Sequence, residues 1–181
     1  MRDLILSNMV SLDGYFEDPA GGLDWFAADE ELEEHLRELH EEVGGYLYGR
    51  RTYLGMEAYW RSADHWIAEF MHHVPKVVVS RSLDRVDWHN SRIIRDVPGE
   101  VTKLKEGPGK AIFVAGSAQL ADSLIRHGLV DEYRVMVNPV LLGGGTPLFK
   151  DGFDRQPLRL VAQRQLRSGL LILRYRPQAN A

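Results

Sequence analysis

"IFVAGSAQLADSLIRHGLVDEYRVMVNPVLLGGGTPLF", Ile112 to Phe149, decides how this chain folds. With Ala111 in front, "AIFVAG" reads as a buried strand. Ser117 is placed to cap the helix "AQLADSLIRH", which closes at Gly128. "DEYRVMV" then sets Tyr133, Val135 and Val137 against Arg134, Met136 and Asn138, the period of two expected of a strand. Strand, helix and strand follow one another with short connections, the grammar of an α/β domain. The closing "LGGGTPLF", Leu142 to Phe149, reads either as a backbone cradle for a ligand or as a turn ending the strand.

The rest of the chain repeats that alternation. Upstream, "LILSNMV" opens as a strand, and "SLDGYFEDPAGGLDWF" follows as a long loop rich in glycine and acid, a length more often functional than idle. "DEELEEHLRELHEEV" carries Leu32, Leu36, Leu39 and Val43 on one helical face, with Asp29 as N-cap and Gly44 as stop. "GYLYG" is a short strand. "SADHWIAEFMHHV" places Trp66, Ile67, Phe70, Met71 and Val74 on a helical stripe that Pro75 ends. "KVVVS" reads as a buried strand and "SRII" as a weaker one, and a short helix begins near Pro98 with Val101 and Leu104 inward. Downstream, "LRLVAQRQLRSGLLILRYRP" is a hairpin around Ser168-Gly169. The expectation is one α/β domain over residues 1–181, with a mainly parallel sheet and an antiparallel edge.

Composition excludes several classes. The residues are 44% hydrophobic and 27% charged, and the net charge is −4, which argues against a general nucleic-acid binder. With no cysteine there are no disulfides, thiolate nucleophiles or cysteine-ligated metals. His72-His73 at a helix end fits a C-terminal capping interaction better than a metal pair, and no metal is expected. No apolar segment approaches membrane-spanning length, so a cytoplasmic protein is the default.

Ligands of parallel sheets bind beyond the carboxyl ends of the strands. There the sequence places Ser11-Leu12-Asp13-Gly14, Gly49-Arg50-Arg51-Thr52, Ser80-Arg81-Ser82 and Gly116-Ser117-Ala118-Gln119. Glycine lets backbone N–H groups approach a ligand, helix N-termini favour negative charge, and arginine grips phosphate oxygens in a fork. The recurrence points to a phosphate-bearing ligand. Neither a Walker lysine motif nor G-x-G-x-x-G is present.

"SNMVSLDGYF", "YLYGRRTYLGM", "KVVVSRSL" and the block from Ile112 to Phe149, in this order, resemble the dihydrofolate reductase-like superfamily, and within it the reductase domain of bacterial bifunctional riboflavin biosynthesis proteins. The resemblance implies an eight-stranded mixed sheet with flanking helices, NADPH as cofactor, and a homodimer. It implies that Gly49, Arg50, Arg51 and Thr52 meet the pyrophosphate and the 2′-phosphate, that Ser80 and Arg81 hold the adenosine ribose phosphate, and that Gly116, Ser117, Ala118, Gln119 and Leu120 cradle the pyrophosphate. Asp13 would lie on the substrate side and orient a polar substrate, with Glu34 or, equally, Glu31 near the proton-donating acid of that superfamily.

The chain departs from the pattern in three places. Tyr15 stands where a lysine follows S-L-D-G, Ala115-Gly116 stands where two glycines open the cofactor loop, and no deaminase partner with Pro-Cys-x-x-Cys is present. Trp25, Phe26, Tyr53, Trp60 and Trp66 are candidates for an aromatic-lined pocket. Two functions follow: an NADPH-dependent reductase of a pteridine-like or aminopyrimidine substrate, such as 5-amino-6-(5-phosphoribosylamino)uracil, or a non-catalytic NADPH-binding or regulatory protein.

Overall fold

The computed structural model describes residues 1–26 and 29–178. β1 (Leu4–Ser11), β3 (Val43–Gly49), β4 (Lys76–Val79), β5 (Ser91–Ile94), β6 (Ala111–Val114), β7 (Glu132–Asn138), β9 (Leu158–Gln165) and β10 (Leu171–Pro177) form one sheet in the order β5-β4-β3-β6-β1-β7-β10-β9. The first six in that order are mutually parallel, and β10 and β9 add an antiparallel edge. β2 (Tyr15–Glu17) pairs separately with β8 (Thr146–Pro147).

From β1 to β5 the chain steps one way across the sheet, and from β5 to β7 it steps back. The right-handed crossover rule therefore puts the connecting helices on opposite faces. α1 (Glu30–Glu42), α2 (Arg50–Trp60) and α3 (Ala68–His73) cover one face, where Leu39, Tyr53 and Met71 pack with Ile5, Tyr48, Val78 and Phe113. α4 (Val97–Glu106) and α5 (Ala118–Arg126) cover the other, where Val101, Leu120 and Leu124 pack with Leu4, Leu6, Leu47 and Val114. β3 and β6 are neighbours, yet the helices that follow them leave on opposite faces. That makes the gap between their carboxyl ends the switch point where such sheets bind ligands.

The caps agree with the sequence reading where a side chain makes them. Asp29 Oδ1 accepts from Leu32 N at 2.8 Å, and Ser117 Oγ accepts from Leu120 N at 3.3 Å. Gly169, at φ +88, turns the β9–β10 hairpin.

Three expectations change. Val43 does not close the apolar face of α1 ahead of a glycine stop: the helix ends at Glu42, and Val43 and Gly44 already belong to β3, because sheet pairing with Ala111 begins there. The helix expected from Ser62 onward is shortened to α3, and α2 stands ahead of it as a full helix that its single buried residue, Tyr53, did not betray. β7 is the strand its period of two implies, and both its faces are covered: Arg134, Met136 and Asn138 are as buried as Tyr133, since α1 packs on the side they occupy. At the end of α3 the last carbonyls are capped by buried Lys76, whose Nζ donates to Met71, His72 and Val74 at 2.8, 3.1 and 2.7 Å. The His72 ring instead accepts from the Trp88 indole, and only the His73 ring meets a helix carbonyl, that of Glu69. Among the described residues, no helix is long and apolar enough to cross a membrane.

Candidate functional site

Gly49 is the N-cap position of α2 and Ser117 that of α5, and the two helix starts meet at the switch point. A Cβ on Gly49 would lie 2.3 Å from Ser117 Oγ, and one on Gly116 would lie 2.9 Å from Thr52 Cγ2. Neither position takes a side chain without moving that of Ser117 or Thr52, which gives glycine a packing reason at both. Gly116 and Ser117 also share the left-handed region, at φ +72 and +62. For serine that conformation costs free energy and survives only where neighbours enforce it.

The first N–H groups of a helix have no intrahelical partner, and the helix dipole adds positive potential there. α1 answers this with Glu30, Glu31 and Glu33 in its first turn, and α4 with Glu100. α2 and α5 carry no acid in theirs, and α2 has no side-chain cap at all. The two helices that converge at the switch point are thus the ones that keep their N-terminal field open for a ligand's anion.

Arginines stand beside them. Arg50 is exposed and donates to Ser82 Oγ at 2.9 Å. Arg51 is also exposed and lies 3.5 Å from Glu17, bordering a cleft of about 410 Å³ lined by residues 17–21, Arg51, Gly145 and Thr146. Ser80 is buried: its Oγ accepts from Ser82 N and Leu83 N and so shapes the loop that presents exposed Arg81. Ala118 and Leu120 turn their side chains into the core and offer only backbone outward, while Gln119 is exposed. This donor set suits a diphosphate with a further phosphate nearby: N–H groups at two helix ends, two glycines and three accessible guanidinium groups.

The proposed acids have partners of their own. Asp13 accepts from Leu142 N at 3.1 Å and Gly143 N at 2.8 Å, fastening the glycine-rich segment to the first loop. Hydrogen bonding, first from Ser11 and then from those two amides, holds its carboxyl below the usual aspartate value, so it is ionised at neutral pH. The glycine-rich stretch is therefore an anchored partner of the first loop. Gly145 packs so close to Glu17 that a Cβ would fall 2.0 Å from its carbonyl oxygen. Glu34 is exposed and pairs with Arg164 of β9 at 3.7 Å, and Glu31 is bound by the backbone and side chain of Arg167.

The aromatic candidates separate as well. Tyr53 is core, its hydroxyl accepting from Trp88 N. Trp60 and Trp66 meet across His65 between α2 and α3, and Trp25 and Phe26 pair edge to face in the first loop.

One residue of the cluster went unnoticed in the sequence. Asn8, buried in the middle of β1, accepts from Gly116 N through Oδ1 at 2.6 Å. The signal was a large polar side chain on the face of β1 that Leu6 and Val10 share.

Known proteins share this arrangement of strands and helices. The crystal structure of a Shewanella sp. PV-4 protein named for riboflavin biosynthesis superposes with a TM-score of 0.81 at 22% identity, over 99% of this chain and 100% of that one. A Thermotoga maritima diaminohydroxyphosphoribosylaminopyrimidine deaminase/5-amino-6-(5-phosphoribosylamino)uracil reductase superposes at 0.70 with 15% identity, over 98% of this chain and 57% of that longer one. The uncharacterized protein YyaP of Bacillus subtilis (strain 168) is 33% identical over 179 residues, 96% of this chain and 94% of its own. The family model of the RibD C-terminal domain matches residues 2–172. The fold is the dihydrofolate reductase-like one, and the chain belongs to the RibD C-terminal domain family.

Proposed function

We propose that this chain is an NADPH-dependent reductase of a small planar substrate of the pteridine or aminopyrimidine class. It acts as one domain over residues 1–181, cytoplasmic and homodimeric, without a nucleic-acid or membrane partner. The observation that supports this most is the convergence of two acid-free helix N-termini at the β3–β6 switch point, with Arg50 and Arg51 beside them. The α5 and α2 termini would hold the pyrophosphate, and Arg50, Arg51 and Arg81 the 2′-phosphate, the usual basis for choosing NADPH over NADH. Bound there, the cofactor supplies a hydride. The chain's part is to hold the cofactor and close the first loop over the substrate through the Asp13 clamp. Asp13 stays ionised at neutral pH, so on this reading it orients the substrate and the proton is drawn from solvent.

Fluorescence titration with both nucleotides tests this. NADPH binds more tightly than NADH, and Arg50→Ala or Arg51→Ala each weaken NADPH by about tenfold, the scale of one charge-assisted hydrogen bond, with little effect on NADH. Failure to bind either nucleotide ends the reading. A second reading, a binding protein without turnover, is favoured by the partners these acids already have: Asp13 accepts from the Leu142 and Gly143 amides, and Glu34 pairs with Arg164. NADPH that binds yet is never oxidised across a panel of pterins, aminouracil ribosides and flavins would select it.

A further inference from the structure

Side chains at alternate positions of a strand share a face, so Leu6, Asn8 and Val10 of β1 point the same way. Leu6 is 1% exposed and Val10 4%, and both lie in apolar clusters. Packing alone would put a leucine or valine between them. Asn8 is there instead, 6% exposed, and its Nδ2 is buried with no hydrogen-bond partner. A buried unpaired donor costs free energy, so this asparagine does not serve the core. Its one satisfied atom, Oδ1, takes the N–H of Gly116, the first of two consecutive left-handed residues and the one that passes against Thr52.

We propose that Asn8 is the positioning residue of the cofactor turn. It holds Gly116 and Ser117 in the left-handed conformation that aims the first turn of α5 at the pyrophosphate, at some expense to the stability of β1. It acts through Gly116 and touches no reacting atom. The functional half of this inference rests on the NADPH reading above; the structural half does not.

The test uses the whole protein with Asn8→Leu and Asn8→Asp. Asn8→Leu removes both the tether and the unpaired donor. It is expected to melt within a few degrees of the parent, to exchange its Gly116 amide about tenfold faster, and to bind NADPH about tenfold more weakly with kcat little changed. Asn8→Asp keeps an acceptor for Gly116 N–H and is expected to restore slow exchange of that amide. Should Asn8→Leu fail to fold, Asn8 is a stability residue and the proposal falls. It falls equally if Asn8→Leu exchanges Gly116 and binds NADPH as the parent does. If the parent itself binds no NADPH, the cofactor reading fails on its own, and Gly116 exchange still decides whether Asn8 holds the turn.

Discussion

At the amino edge of the sheet, Arg134, Arg174 and Arg176 gather around Glu132, which is 0% exposed; at the carboxyl edge, Arg50 and Arg51 stand in solvent. The first group is closed. Glu132 accepts from all three arginines, Glu42 takes Arg134 through two bonds of 3.1 and 2.6 Å, and Asp3 takes Arg176. The second group is open, with one serine hydroxyl on Arg50 and one glutamate 3.5 Å from Arg51. The same side chain serves two ends. Matched by carboxylates around the fully buried Glu132 it fixes how α1, β7 and β10 meet, and left partly unmatched beside acid-free helix ends it stands ready for an anion.

The closed group is where substitution should harm the fold most. Glu132→Gln keeps the shape but takes the fully buried carboxylate from three arginines; Arg134 keeps its two bonds to Glu42, so the cost sits at the low end of that for breaking a buried pair from one side, about 3 kcal/mol. For a chain of this length that lowers the melting temperature by roughly 10 °C, while NADPH affinity measured well below the melt stays put. A melt within 2 °C of the parent, by the same scaling, would show that the network is not what joins these elements. The pH dependence has a sign. Burial pushes the Glu132 carboxyl up, but the bonds from Arg174 and Arg134 outweigh it and hold it below its ordinary 4.5. The network's contribution is therefore complete above that value and is lost as pH falls through the lower folded one.

Lys76 lies between the two cases, since it is buried at 1% exposure like Glu132 and Arg134 but faces carbonyls instead of a carboxylate. Lys76→Met leaves the α3 carbonyls unpaired and should cost about 1–3 kcal/mol in a denaturant titration. Burial pushes its ammonium down to about 8 from 10.5. Between those values the unfolded chain binds more protons than the folded one, so this lysine's contribution rises with pH. Subtracting the Lys76→Met profile from the parent's should isolate that rise; a flat difference from pH 8 to 10 would place the group outside the titrating range.

How far the sequence reveals these regions follows from what each depends on. β6, α5 and β7 are legible because their periodicity, cap and glycine stop are local, and Ser117 and Gly128 stand where the reading puts them. α2 is hidden because Gly55 interrupts it and it buries only Tyr53, so no stripe repeats. β2 and β8 are each too short to show a pattern and exist through pairing across 129 positions of chain between Glu17 and Thr146. The glycine–arginine edge is legible as residue types at strand ends. The amino-edge network is not, because Asp3, Glu42, Glu132 and Arg176 meet only when the sheet order is known. Glu34 illustrates the same limit: its helix was readable, but its partner on the hairpin was not.

The smallest effect sharpens the comparison most, because it asks whether the open group is as open as its exposure suggests. Glu17 lies 3.5 Å from Arg51 and also accepts from Thr146 Oγ1 at 3.2 Å, so the first loop holds a carboxylate against the proposed phosphate grip. With its arginine in solvent and 3.5 Å between the groups, such a pair is worth about 1 kcal/mol and is screened by salt. If Glu17 competes with phosphate for Arg51, Glu17→Gln should tighten NADPH by about threefold at low ionic strength, and raising the salt should shrink that gain. Arg51→Ala should abolish it, because the glutamate then has nothing to compete for. A Glu17→Gln protein that binds NADPH more weakly than the parent would reverse the interpretation: Glu17 would then aim Arg51 at the cofactor, and the carboxyl edge would share the paired logic of the amino edge.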